Sequence, residues 1–181
     1  MDKDMVITCI KAAGGYVTPN LNDKLYLHNN NFSNIGGLEE FTETKVIWLQ
    51  SNFLTSIQGL SHLKKLRVLY LHQNRITSLD GLAGLEFLHT LNVNVNALRS
   101  LRGVAYLPAL SNLYAAKNAL CSCEDVSDIQ NLKKLTVLDL SDNRIDGDGL
   151  LYLLRQSETI GVLTLQGNPL CQVSPLLNAK T

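Results

Sequence analysis

Histidines, cysteines and clustered carboxylates are the groups on this chain able to do chemistry, and each set can be held against the spacing that chemistry requires. His28, His62, His72 and His89 share no local spacing that would close around a metal ion. Cys9, Cys121, Cys123 and Cys171 contain no Cys-x-x-Cys pair and no zinc spacing. Cys121 and Cys123 read as two loop thiols at a turn. The run Asp142-Asn143-Arg144-Ile145-Asp146-Gly147-Asp148 is acidic enough to suggest calcium, but Arg144 stands where the calcium-loop frame needs an oxygen ligand. The chain has no Gly-x-x-x-x-Gly-Lys phosphate loop, no Gly-x-Ser-x-Gly elbow and no His-Glu-x-x-His pair. No cofactor, no metal and no catalysis are expected.

The polar residues that do recur are asparagines. Asn30, Asn52, Asn74, Asn96, Asn118, Asn143 and Asn168 follow one another at 22, 22, 22, 22, 25 and 25 residues. Each closes a Leu-x-Leu-x-x-Asn frame or a close variant, clearest in the stretch Leu66 to Leu79. A fixed period of this size is the signature of a solenoid, here of the leucine-rich repeat. The expected fold is an α/β solenoid with a parallel concave sheet and a convex side of 3₁₀ turns and helices. The two apolar residues of each frame lie on one face of a short strand, because strand side chains alternate, and they point inward. Burying one contributes roughly 1.5–3 kcal/mol, but no repeat does so alone, so stability comes from stacking. The asparagine is expected to turn inward and pair with backbone groups that form no ladder there.

Around this frame the chain divides into three parts. Residues 1–20 are a capping helix and lead-in: Asp2 or Asp4 can cap the start, Met5, Val6, Cys9 and Ile10 share a face, and Gly14-Gly15 ends it. Residues 21–170 hold about seven repeats. Residues 171–181 are a tail with too little apolar cover for a full cap. The 22-residue repeats lack room for a convex helix and should use 3₁₀ turns. The longer fifth and sixth repeats have room for α-helices, over Asp125 to Leu132 and around Leu150 to Leu154.

The informative residues stand between the buried leucines and face the concave side. Four before each asparagine come Tyr26, Trp48, Tyr70, Asn92, Tyr114, Asp139 and Thr164; two before come His28, Gln50, His72, Asn94, Ala116, Ser141 and Gln166. The first three repeats therefore offer an aromatic column, Tyr26-Trp48-Tyr70, spanning roughly 10 Å beside His28-Gln50-His72. Aromatics also simply suit strands and stack on their neighbours. Exposed Trp and Tyr on a rigid surface, however, dominate interface energetics, which favours a partner-binding face. The expected binding residues are Tyr26, His28, Trp48, Gln50, Tyr70, His72, Asn92, Asn94, Tyr114 and Asp139. Asp139, Ser141 and Asp142 either accept a basic segment or are solvated.

Composition narrows the partner. Lysine plus arginine equals aspartate plus glutamate, 16 each, which leaves no basic surplus for nucleic acid and no polybasic membrane patch. No apolar run approaches a membrane span, and the start Met1-Asp2-Lys3-Asp4 does not read as a signal peptide. A reduced, soluble, cytoplasmic monomer that binds protein is expected.

Beyond the generic frame, Thr18 to His28, Leu38-Glu39-Glu40-Phe41-Thr42, Ile47 to Asn52, Val137 to Ser141 and Gly167-Asn168-Pro169 resemble the dynein axonemal assembly factor 1 family over nearly the whole chain. The resemblance implies a cytoplasmic scaffold, with a link to the cilium or flagellum, whose partners are dynein chains or chaperone-linked assembly factors. It supplies no catalytic residues. Tyr26, His28, Trp48 and Gln50 fall on the family's concave face. Asn92-Val93-Asn94-Val95-Asn96 departs from its pattern. The related phosphatase-1 regulatory subunit and a dynein-associated leucine-rich repeat light chain are the alternatives.

Overall fold

In the computed structural model the described residues are 1–147, 149–155, 157 and 159–173. Seven three-residue strands form one parallel sheet in sequence order: β1 Lys24–Tyr26, β2 Val46–Trp48, β3 Val68–Tyr70, β4 Thr90–Asn92, β5 Asn112–Tyr114, β6 Val137–Asp139 and β7 Val162–Thr164. The register repeats without slip, Tyr26 opposite Trp48, Trp48 opposite Tyr70, and so on to Asp139 opposite Thr164. The expected solenoid is borne out. Each strand is followed by a convex return, and the core is a single stack of buried leucines running under the sheet.

The convex return has its own period. In the second repeat Ile57, Leu60, Leu63, Leu66 and Leu69 are all fully buried, one every third residue. Leu79, Leu82, Leu85, Leu88 and Leu91 repeat the pattern, as do Leu101, Val104, Leu107, Leu110 and Leu113. Three residues per turn is 3₁₀ geometry, and the backbone bonds agree: Leu63 N–H donates to Leu60 O at 2.9 Å and Leu66 N–H to Leu63 O at 3.0 Å. The same period corrects one expectation. Glu124–Asn131 is a 3₁₀ helix, not an α-helix. Val126, Ile129, Leu132 and Leu135 keep the three-residue spacing, so an α-helix would rotate them off the core. Asp125 does not cap it either: its carboxylate accepts from Cys121 N at 2.8 Å and Ser122 N at 3.0 Å, closing the longer turn. The helix expected around Leu150 is present as α2, Gly149–Arg155, and a short α3, Leu170–Val173, follows the last repeat.

The first coil is covered by α1, Lys3–Ala12. Asp2 caps it by accepting from Met5 N at 2.9 Å, and Gly14 ends it at φ 75°. Val6 and Ile10 are buried against Leu25 and its neighbours, with Met1, Ile7 and Cys9 half-covered. Met5, expected on that face, is exposed, because the packed stripe runs through Met1, Val6, Ile10 and their flanks. Lys3 pairs with Glu40 and the N-terminal amine donates to Asn34, tying the cap to the first convex return.

The asparagines form the ladder that holds consecutive coils together. Asn52 Oδ1 accepts from Asn30 N and Phe32 N of the preceding coil at 3.1 and 3.0 Å. Its amide donates back to Leu27 O at 2.9 Å and to its own Leu49 O at 3.0 Å. Asn74, Asn96, Asn118, Asn143 and Asn168 repeat this arrangement. Asn30 is the exception. It has no earlier coil to grip, lies exposed, and accepts only from Cys9 Sγ. The residue before each ladder asparagine adopts the left-handed conformation, φ 55° at Ser51, 57° at Gln73 and 56° at Val95. That twist turns its N–H toward the next strand, as in Ser51 N to His72 O at 3.0 Å.

Candidate functional site

Alternation along β1 to β6 buries the central residue and lifts its neighbours onto the concave face, whereas in β7 the central Leu163 is exposed. In β2, Ile47 is fully buried while Val46 and Trp48 are half-exposed. Exact register then lines the lifted residues up from coil to coil. Tyr26, Trp48 and Tyr70 form a continuous stack: Tyr26 and Trp48 lie with ring centroids 4.5 Å apart at 10°, and Trp48 and Tyr70 at 5.7 Å and 20°. Such near-parallel pairs are worth about 0.5–1.5 kcal/mol beyond area burial. The rings stand on edge with their faces turned to one another, so the concave floor presents ring edges, two phenol hydroxyls and one indole N–H.

The second column sits against the first. His28 meets Tyr26 edge-on at 6.5 Å and His72 meets Tyr70 edge-on at 6.2 Å. His28 Nδ1, Gln50 Oε1 and His72 Nδ1 are buried and take no hydrogen bond. Burial pushes the His72 imidazole below its ordinary value, so it is held neutral. His72 is thereby suited to contact rather than to proton transfer.

Beyond Tyr70 the row changes chemistry. Asn92 Oδ1 accepts from Asn94 N at 3.1 Å, and Asn94 Oδ1 accepts from Ala116 N at 2.7 Å. Both side chains are therefore occupied with the sheet itself. Tyr114 is half-buried opposite Asn92 on one side and Asp139 on the other. Asp139 Oδ1 accepts from Ser141 N at 3.0 Å and Ser141 Oγ at 2.7 Å. All ten expected residues thus fall on one face. A third column was missed: Val46, Val68, Thr90 and Asn112, six before their asparagines, share that face and are half-exposed. The signal was the same two-residue alternation carried one step further back.

All four cysteines are free. Burial pushes the Cys9 thiol up, and desolvation together with Glu124 does the same at Cys123. A hollow of about 180 Å³ lies between the end of α1 and β1, lined by Ile10, Gly15, Tyr16, Leu21 and Tyr26. A second of about 270 Å³ on the convex side is lined by Ser78, Asp80, Arg102, Glu124 and Asp128. In the second, Ser100 and Ser127 donate to the backbone oxygens of Asp125 and Glu124, and among the described residues no serine hydroxyl of the lining is hydrogen-bonded to a carboxylate.

Models of the leucine-rich repeat match residues 45–84, 64–106 and 134–155. The chain carries leucine-rich repeats, a binding scaffold rather than an enzyme fold. Over 88% of its length the chain is 68% identical to dynein axonemal assembly factor 1 of Homo sapiens. Over the same share it is 55% identical to the dynein axonemal assembly factor 1 homolog of Drosophila melanogaster. The resemblance read from the sequence is therefore borne out. The chain spans 22% of the length of the human relative and 11% of the fly relative. Among solved structures, an internalin of Listeria monocytogenes is similar at TM-score 0.74 and 26% identity, covering 84% of this chain and 44% of that one. An internalin C2 of the same species, 22% identical at TM-score 0.55, shares the fold. Among the described residues no helix is long and apolar enough to cross a membrane.

Proposed function

We propose that the concave face of this leucine-rich repeat chain binds a protein partner in the cytoplasmic assembly of axonemal dynein arms for cilia or flagella. The observation that carries the reading is the Tyr26-Trp48-Tyr70 stack, which concentrates the residue types of binding hot spots on a preorganised surface. The names of the human and fly relatives supply the process. The partners are dynein chains or chaperone-linked assembly factors, engaged by Tyr26, His28, Trp48, Gln50, Tyr70 and His72, with Asn92, Asn94, Tyr114 and Asp139 extending the contact. The chain acts as a monomer.

The test is depletion and rescue in a ciliated cell. Wild type restores axonemal dynein arms and Trp48→Ala does not, while circular dichroism shows the variant folded. Partner affinity falls by at least ~2 kcal/mol in that variant. Full rescue by a folded Trp48→Ala chain would sink the proposal, and capture of a phosphatase catalytic subunit in place of dynein-related chains would replace the process.

A further inference from the structure

Asp139 breaks the character of the concave floor. Across β2 to β7, the positions six, four and two before each asparagine carry one formally charged side chain, and it is Asp139. The carboxylate is half-buried, and among the described residues it has no salt-bridge partner. One oxygen is locked by the Ser141 N–H and hydroxyl, and the other has no hydrogen-bond partner among the described residues.

Its local role does not require the charge. Asn92, at the equivalent place two coils earlier, makes the same bond through a neutral amide: Asn92 Oδ1 accepts from Asn94 N at 3.1 Å, as Asp139 Oδ1 accepts from Ser141 N at 3.0 Å. An asparagine at 139 would keep an oxygen able to accept from both the N–H and the hydroxyl of Ser141. Desolvating an unpaired carboxylate beneath a partner would cost free energy unless that partner brings a cation.

Asp139 also lies on the aromatic line. Tyr70, Asn92, Tyr114 and Asp139 are successive register partners. From Trp48 to Asp139 is four strand steps and from Tyr70 three, roughly 14–19 Å at ~4.8 Å per step. We propose that the partner segment lies along this row with an apolar side chain on the aromatic stack and an arginine or lysine on Asp139. That separation corresponds to roughly 10–13 residues of a helix, or 4–6 of an extended strand. This assignment rests on the concave-face reading above and adds the partner's chemistry and direction.

The experiment is selection from a random-peptide phage library, panned in parallel on the wild-type chain and on Asp139→Asn, Asp139→Lys and Trp48→Ala. The wild type enriches peptides pairing an aromatic or large aliphatic residue with Arg or Lys at the stated separation. Asp139→Asn, which keeps the bond to Ser141 and melts as wild type, retains the apolar preference and loses the basic one. Asp139→Lys enriches Asp or Glu there. A synthetic wild-type-selected peptide binds Asp139→Asn about tenfold more weakly, and added salt narrows the gap. The same basic consensus on Asp139→Asn would overturn the cation site while leaving the aromatic face standing. Unchanged selection on Trp48→Ala, or no consensus on the wild type, would overturn the concave-face reading and this one with it.

Discussion

The inner frame and the concave floor of this molecule are built from the same coils, yet they behave oppositely. Under the sheet the first six coils repeat one another: Leu25, Ile47, Leu69, Leu91, Leu113 and Leu138 are all fully buried, and the ladder asparagines from Asn52 to Asn168 make the same bonds. On the floor, one residue further along each strand, the series runs Tyr26, Trp48, Tyr70, Asn92, Tyr114, Asp139, Thr164. Packing forces the first series, because each leucine fills the gap its neighbours leave. Nothing in the fold forces the second. Stability lives in what repeats, and the face proposed for recognition is built from what does not.

The contrast can be broken at several points. Leu69→Ala should cost about 2–5 kcal/mol by opening a cavity in the middle of the stack, read as a drop in the denaturation midpoint. Asn74→Ala strips partners from Leu54 N, Leu49 O and Leu71 O and should cost about 1–3 kcal/mol. Asn30→Ala, at the exposed end of the ladder, should cost less than ~0.5 kcal/mol. Equal losses at the two asparagines would show that the ladder is not what joins the coils.

Trp48→Ala should lose at least ~2 kcal/mol of partner binding, and its two lost ring pairs should cost about 1–3 kcal/mol of stability. Val95→Asn sharpens the frame. Valine is strained at φ 56°, and asparagine tolerates that region, as Asn29 does at 57°. The change should stabilise by about 1 kcal/mol, seen as a higher melting temperature.

The smallest effect is at His72. Its depressed value means the unfolded chain takes up the proton first, so stability is full above pH 6.5 and declines as pH falls toward the folded-state value. His72→Gln, which copies Gln50 one coil earlier, should flatten that decline in melting temperatures measured on either side of pH 6.5.

Much of this was legible before the coordinates. The asparagine period gave the solenoid, and strand alternation put Tyr26, Trp48 and Tyr70 in one line. What escaped was decided by finer geometry. The Glu124–Asn131 segment was read by the room available rather than by the three-residue spacing of Val126, Ile129 and Leu132. Met5 was placed on the packed face of α1 because a helical stripe has no absolute phase until something packs on it. Asn30 looked like every other ladder residue, and only the lack of an earlier coil sets it apart. The lock that Ser141 places on Asp139 is a matter of rotamers, to which spacing is blind.

The stack has a practical corollary. The chain contains one tryptophan, and it sits between two tyrosines with centroids 4.5 and 5.7 Å away. Light absorbed by either phenol passes readily to the indole at such range, and any macromolecule settling over the hollow of the coil would dry that single fluorophore. Emission from the unmodified chain is therefore a label-free gauge of occupancy at the very surface in question.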